Sequence, residues 1–177
     1  MVDEILLDME DLREVVAYAA DSAADALDFF ERSYPFDWRP REAIDTARLF
    51  ARGGKRIRLL RDAAWAALRS AQDAEDAAAS HAARAAMCAP SSAYLHPLAR
   101  STQVRHILGA AGHAARAAEL AAGDVPAIAA DHVARACRRA TPRLVEILCR
   151  YPAAPSGGGR VGELLRTLDM MLRGRAP

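Results

Sequence analysis

The chain has 177 residues, of which 52% are hydrophobic and only 6% aromatic, and its 24 basic and 23 acidic side chains leave a net charge of +1. This balance excludes a protein whose whole surface is built for nucleic acid, and no apolar run approaches the ~18 residues of a membrane span. The acidic N-terminus indicates no signal peptide, so a cytoplasmic protein is predicted. Because alanine dominates the apolar residues, we predict an all-α, single-domain bundle of about seven helices with an alanine-rich core.

Apolar residues at helical spacing predict a first helix that Asp8 caps and that ends before Pro35. The connector that follows, residues 34–41, contains three aromatic residues, two prolines and three charged residues. Because it is too stiff and too apolar for a simple solvent loop, we expect other parts of the chain to hold it. Pro40 in the first turn and the pair Gly53–Gly54 at the end delimit the second helix.

The third helix begins in a basic stretch between Lys55 and Arg61. Cations at this end oppose the helix dipole, so the stretch either binds an acidic partner or forms a solvated face of the kind common in arginine-rich chains. A break near Asp73 separates this helix from a fourth one that reaches Cys88. The predicted buried stripe of the third helix consists of Ile57, Leu60, Ala64, Leu68 and Ala71.

The central element of the chain is a polar loop followed by a helix, between Ser92 and Glu119, and it carries three of the five histidines. If Ser101 or Thr102 caps this helix, its apolar residues recur at i, i+3, i+4 and i+7 and form one buried face. Two glycines inside a helix cost roughly 1 kcal/mol each, so they are expected to admit a second helix, a partner or a ligand. The predicted opposite side contains Arg105, Gly109, Gly112, Arg116 and Glu119, with His106 and His113 at its margin.

A short repeat runs through the alanine-rich segments. The hexapeptide His81–Ala86 recurs as His113–Ala118, and His132–Cys137 is a looser copy. The spacings differ and nothing else repeats with them, so the sequence favours three helices of similar composition over a solenoid. The third copy lies in a helix that Asp124 is predicted to cap and Pro142 to break or restart.

The C-terminal part divides at a glycine-rich segment. Residues 155–159 are predicted to form a flexible joint between a helical core, residues 1–154, and an amphipathic helix, residues 160–177. We expect this helix to dock on the core, since its apolar stripe would otherwise be exposed, although docking on a partner stays open.

Six polar residues could meet around the central helix: Tyr94, His96, Gln103, His106, His113 and Glu119. His106 and His113 are two turns apart, more than ~10 Å along the axis, so no metal site is predicted. His96 or His106 with Tyr94 could perform acid–base chemistry, which gives the alternative of a small-molecule-binding protein or an enzyme with a His/Tyr pocket.

Motifs of familiar enzymes are missing from the sequence. The chain has no GxSxG elbow and no GxxxxGK(S/T) loop, and its three cysteines are odd in number and lack CxxC spacing. We therefore predict reduced, mostly buried thiols, no catalytic residues and no cofactor, and favour a protein that is not an enzyme.

The connector before the second helix carries Asp37, Trp38, Arg39 and Arg41. Aspartate and arginine at this spacing either clamp an anionic or peptide partner or form a pair that braces the turn between two helices.

Four stretches of the chain carry a resemblance to a known family: residues 7–31, 35–45, 93–109 and 162–173. Over nearly the whole chain they resemble the small all-helical bacterial family called "putative immunity protein", whose members of this length are typical of actinobacteria. The resemblance implies a helical binding protein that neutralises a toxin, with no catalytic residues to carry over. The matching positions are Asp37, Arg39, Pro40, Arg41, Tyr94, His96, Gln103 and His106.

The chain also departs from this family pattern. Tyr18 and Ser22 stand where many relatives have Trp and Cys, so no role is carried over to those two positions. Some relatives are labelled as an exonuclease subunit, but the sequence contains no Walker motif.

The sequence thus predicts a protein that binds a toxin through the Asp37–Arg41 turn and the His96–His106 region. If the toxin is a nuclease, the inhibitor should present an acidic patch, for which the first helix offers three aspartates between Asp21 and Asp28. Association with DNA through the basic stretch of the third helix is a further alternative. No membrane partner is predicted, and the oligomeric state stays open, a homodimer included. The predicted partner-binding residues are Asp37, Trp38, Arg39, Arg41, Tyr94, His96, Gln103, His106, His113 and Glu119.

Overall fold

A computed structural model describes residues 4–176 and confirms the all-α, single-domain prediction. Residues 4–176 contain nine α-helices, two more than predicted. The first predicted helix is divided into two at Asp25–Ala26, and Pro142 starts a separate helix where one was predicted to break or restart. None of them combines the length and the apolar character required to cross a membrane. The helices are α1 (Met9–Ala24), α2 (Leu27–Glu31), α3 (Arg39–Ala51), α4 (Arg58–Asp73), α5 (Ala77–Ser91), α6 (Val104–Ala121), α7 (Pro126–Arg139), α8 (Pro142–Cys149) and α9 (Gly159–Arg173).

Two predicted helix boundaries follow from local chemistry. Asp8 caps α1 in a capping box with Asp11, whose side chain accepts from the Asp8 backbone N–H. At the end of α3, Gly53 has a φ of +106°, and a Cβ at Gly54 would lie 2.7 Å from the Leu49 carbonyl oxygen. Only glycine fits both positions, and the chain turns there towards α4.

Two predicted caps are wrong. Neither Ser101 nor Thr102 caps α6, because residues 101–103 form a 3₁₀ turn that continues directly into the helix. Asp124 does not cap α7: its φ is +64°, and its carboxylate accepts a hydrogen bond from Arg116 instead. Val125 occupies the N-cap position, and Pro126 starts the helix as predicted.

Helix α6 lies at the centre of the bundle, in contact with α1, α5, α7 and α9. It is buried on more than the predicted face, since Gly109, Gly112 and Glu119 are buried too. A Cβ at Gly109 would lie 3.2 Å from the Cys88 sulfur, and one at Gly112 would lie 3.5 Å from Val161. The glycines therefore admit α5 and α9, so a second and a third helix occupy the predicted strip.

Helix α9 packs against α6, α7 and α8. Its apolar stripe is buried, and the Asp169 carboxylate accepts a hydrogen bond from the Ala154 N–H (2.9 Å) while pairing with Arg173. These contacts bring the glycine-rich segment before α9 close to the N-terminal half of α6. The buried leucines of this stripe are Leu164, Leu165, Leu168 and Leu172.

Helix α4 is rotated relative to its predicted stripe. Leu60, Ala64 and Ala71 are buried as predicted, but Ile57 is 52% exposed and Leu68 is only half-buried. The neighbouring α3 and α5 cover Ala67 and Ser70 instead, because α4 touches both of these helices along one side. The opposite side of α4 faces solvent and exposes Trp65.

Candidate functional site

The Asp37–Arg39 pair braces the turn before α3. The Asp37 carboxylate accepts from Arg39 Nε (2.9 Å), from the second Arg39 nitrogen (2.7 Å) and from the Ser70 hydroxyl (2.9 Å). Hydrogen bonds from Arg39 are the main reason that the pKa of Asp37 lies below its usual value. Arg39 also reaches Asp73 (3.0 Å), and Arg41 pairs with Glu31. Both arginines thus support the helices around them.

Trp38 is the exposed member of this turn. Its side chain is 62% exposed, next to Phe36, which is 87% exposed. The polar residues of the turn are paired within the chain, so these two aromatic rings are what the turn offers to a partner.

The loop before α6 is held by hydrogen bonds from its predicted site residues. Gln103 Oε1 accepts from the His96 backbone N–H (2.9 Å), and the Tyr151 hydroxyl donates to the His96 carbonyl (2.9 Å). The Arg61 guanidinium lies 4.8 Å from the centre of the Tyr94 ring. His96 is exposed at the surface of this loop.

The structure does not bring the two halves of the predicted binding site together. The Asp37 cluster contacts Asp73 at the C-terminal end of α4, whereas Tyr94 lies against Arg61 near its N-terminal end. Asp73 lies twelve positions after Arg61 on α4, which corresponds to about 18 Å along the helix axis. The Asp37–Arg41 turn and the loop before α6 therefore belong to separate surfaces.

Glu119 is buried in an ion pair, not available on the surface. Only 1% of its side chain is exposed, and it accepts hydrogen bonds from Arg160 (2.6 Å) and Arg116 (2.6 Å). Hydrogen bonds from Arg160 are the main cause of its lowered pKa. Because Arg160 is in the first turn of α9, this pair fastens α9 to α6.

His113 of α6 forms a pair with His81 of α5. The two Nδ1 atoms lie 3.0 Å apart, and the ring centres are 5.2 Å apart. One imidazole must donate its Nδ1–H to the other, so the pair is satisfied with a single shared proton between the rings. The paired histidines are the first residues of the two identical hexapeptides on α5 and α6.

The histidine pair lies in an open groove of about 680 Å³ between α5, α6 and the start of α9, hereafter the groove. The groove is lined by polar and by apolar residues, and the apolar ones are hereafter called its floor. Its polar lining residues are Ser80, His81, Arg84, Ser91, Arg105, His106 and His113, and its apolar ones include Met87, Cys88, Val161 and Leu165. No carboxylate is among the lining residues.

The three histidines and the cysteine of the groove are neutral at neutral pH. Burial, together with the neighbouring Arg84, lowers the pKa of His81 and brings that of His113 to about 3. Burial also lowers the pKa of His106 and raises that of the Cys88 thiol to about 12, so Cys88 is no reactive thiolate. At neutral pH the positive charge of the groove therefore comes from its arginines.

A second concavity of about 350 Å³, hereafter the Trp65 shelf, adjoins the groove. It runs from α4 to α6 and shares Met87, Ser91 and His106 with the groove. Trp65 is 57% exposed at its edge. The residues that line the shelf are Arg61, Ala64, Trp65, Leu68, Met87, Ser91, Tyr94 and His106.

Sequence reasoning found part of this surface and missed the rest. It selected Tyr94, His106 and His113, but it overlooked Arg84 and Trp65. A signal was present, because no Asp or Glu occurs between Asp76 and Glu119, a stretch that contains four arginines and four histidines. Such a stretch is a local positive region inside a chain that is nearly neutral overall.

The other predicted alternatives gain little from the geometry. Within residues 4–176, no three His, Cys, Asp or Glu side chains are grouped as a metal site. Tyr94 shares the Trp65 shelf with His106 and another concavity with His96, so the three side chains do not line one common concavity. In the basic stretch, Arg58 pairs with Asp62. Of the predicted acidic patch on α1, Asp21 pairs with Arg48 and Asp25 pairs with Arg139.

Comparison with known proteins identifies a family for this chain. No curated protein and no solved structure matches the chain. The family model described as "Imm-5 like putative immunity protein" matches residues 6–141, which include α1 to α7 and two walls of the groove. The match covers most of the chain, and the chain therefore belongs to the Imm-5 like putative immunity protein family.

Proposed function

We propose that this protein binds a protein toxin and neutralises it in the cytoplasm, with the groove and the Trp65 shelf as its contact surface. Membership of an immunity protein family supports a protein as the partner. The observation that carries the choice of surface is Trp65, which is 57% exposed at the edge of two connected concavities. Exposed aromatic residues beside a concave surface are typical of protein interfaces.

The composition of this surface supports the same choice. Arg61 stacks on Tyr94 beside Trp65, and tryptophan, tyrosine and arginine are the residues that most often dominate binding energy. Met87 and His106 connect the shelf to the groove, so a partner that covers Trp65 also reaches the histidine pair. Three residues of the predicted site, Tyr94, His106 and His113, lie on this surface.

The Asp37–Arg41 turn is the competing surface. Trp38 is 62% exposed there, nearly the same fraction as Trp65, and it lies near the other end of α4. The turn offers aromatic rings but few free polar groups, since Asp37, Arg39 and Arg41 are all paired within the chain. The close match in exposure makes Trp38 a suitable control for Trp65.

Co-expression tests the proposed function. A protein from a neighbouring gene that arrests growth when expressed alone is induced with and without the present protein. We expect growth to be restored and the two proteins to co-purify as a complex of defined stoichiometry. If the neighbouring proteins are harmless, or if the toxic one neither binds this protein nor is neutralised by it, the proposal is wrong.

Two tryptophan variants then locate the contact surface. Trp65→Ala should weaken toxin binding by about 2 kcal/mol or more, as truncation of a central aromatic residue does. Trp38→Ala should leave binding within about 0.5 kcal/mol of the wild type, because peripheral residues contribute little. The opposite pattern would move the contact surface to the Asp37–Arg41 turn.

A further inference from the structure

Among residues 4–176, those that line the groove include two arginines and no acidic residue. Arg84 of α5 and Arg105 of α6 both line it. Within residues 4–176 neither one forms an ion pair, whereas Arg116 and Arg160, in the same part of the fold, both pair with Glu119. Two arginines without carboxylate partners, facing one concavity, form an arrangement that favours an anionic ligand.

The charge of the histidine pair decides which of its Nε2 atoms donate and which accept hydrogen bonds. In the neutral pair, the Nδ1 atoms share one proton, so one ring exposes an Nε2–H donor and the other exposes a bare Nε2 acceptor. When the pair takes up a proton, both Nε2 atoms become donors and the pair gains a positive charge. A bound anion stabilises this second form, so binding and proton uptake are linked.

The groups around the pair explain why it is neutral without a ligand. Burial is the main cause that lowers the pKa of both rings, and Arg84 on α5 and Arg116 on α6 further disfavour a charge on His81. Arg116 is itself paired with Glu119 and Asp124, and Arg160 of α9 pairs with Glu119. The remaining titratable groups of the groove are Arg105, His106 and Cys88; α9 adds only Gly158, Val161, Gly162 and Leu165 to its lining.

The floor of the groove favours a peptide over a nucleic acid. Met87, Val161 and Leu165 add apolar side chains to a lining that also contains the two arginines. Nucleic acid recognition relies on a basic surface with many phosphate contacts, whereas a peptide segment can place a carboxylate between arginines and an apolar side chain on the floor.

We propose that the groove binds an acidic segment of the toxin, with its carboxylates held by Arg84 and Arg105 and one proton taken up by the His81–His113 pair. This inference rests on the proposed function, since it names the chemistry of the segment that enters the groove. It predicts an acidic exposed segment on the toxin, near apolar side chains that reach the floor of the groove.

Calorimetric titration of the full chain with hexaglutamate, hexaglutamine and a single-stranded DNA 20-mer tests this chemistry. Hexaglutamate should bind and hexaglutamine should not, because Arg–carboxylate hydrogen bonds are the main attraction. The Arg84→Gln/Arg105→Gln double variant should bind hexaglutamate about tenfold more weakly or worse. The double variant Arg135→Gln/Arg138→Gln, on the exposed side of α7, removes the same charge and should bind as the wild type does.

The proton is measured in the same experiment. Titrations at pH 6.5 in buffers with different ionisation enthalpies should show proton uptake on binding, and hexaglutamate affinity should rise by up to about tenfold per pH unit below pH 7. The peptide carboxylates stay ionised in this range. The double variant His81→Asn/His113→Asn, which removes both imidazoles of the pair, should abolish the proton uptake while it leaves the effect of the arginines in place.

Each contrary result overturns the inference. It is wrong if hexaglutamate does not bind, if the Arg84→Gln/Arg105→Gln variant binds it as well as the wild type does, if no proton is taken up, or if the DNA binds more tightly. The proposed function fails separately: if the wild type does not neutralise a toxin, the function is wrong whatever hexaglutamate does. If the wild type and the Arg84→Gln/Arg105→Gln variant protect cells equally well, the function stands and the acidic segment is excluded.

Discussion

Replacing His113 by Asn tests whether the folded protein keeps the histidine pair neutral. Burial and Arg84 hold the pKa of His113 at about 3, below the value of 6.5 that applies in an unfolded chain. Between these two values the unfolded state binds more protons than the folded state, so acidification must destabilise the fold. The loss begins as the pH falls through about 6.5, where the unfolded histidine becomes charged.

The magnitude follows from this difference. At pH 5.0 the unfolded imidazole is almost fully protonated and the folded one is neutral, which lowers the free energy of unfolding by about 2 kcal/mol relative to pH 7.5. An asparagine at position 113 does not titrate. The variant should therefore lose about 2 kcal/mol less than the wild type over this pH range, whereas His81, His106 and His132 contribute to both proteins.

Urea denaturation followed by circular dichroism, at intervals between pH 5.0 and 7.5, measures this difference. Carboxylates are ionised throughout this range and do not obscure it. The Asn variant loses the hydrogen bond to His81, so its stability at pH 7.5 should be lower by about 1 kcal/mol. Equal slopes for the two proteins would show that His113 titrates normally in the fold and would refute the neutral pair. If the variant does not fold, His81→Asn provides the same comparison through the other ring.

Two further sets of variants test how α9 is held. Glu119→Gln weakens the bonds to Arg160 and should lower the free energy of unfolding by about 2 kcal/mol, with faster hydrogen exchange in α9. Gly162→Ala should destabilise the fold by about 2 kcal/mol or more, since its Cβ would lie 2.0 Å from the Gly157 carbonyl oxygen. Gly112→Ala is the matched control, because its Cβ would make ordinary contacts and a helix gains up to about 1 kcal/mol from alanine.

Different results would contradict the predictions for the Glu119 variant and for the glycine variants. Unchanged exchange in α9 of the Glu119→Gln variant would show that the buried ion pair does not fasten this helix. If both glycine variants changed the stability equally, the first turn of α9 would not be packed against the Gly157 carbonyl.

The two halves of the predicted site lie on separate surfaces of the structure. Sequence analysis could not show this, because helical periodicity does not determine which helices contact each other. Asp37 and His96 carry polar side chains in loops, and the sequence gives no distance between the two loops. Their separation depends on α4, which lies between them and holds one loop near each end. Glu119 was placed on an open strip for the same reason: periodicity locates a face of α6, but the packing of α9 decides whether this face is covered.

The sequence by itself determined the local structure. The all-α class, the capping of α1 by Asp8, the start of α3 near Pro40 and the break at Pro142 each depend on residues a few positions apart, so local propensity decides them. Only the tertiary structure decided that His81 meets His113 and that Arg84 and Arg105 line one groove. These pairs join residues from different helices, and the register between packed helices depends on side-chain shapes over the whole core.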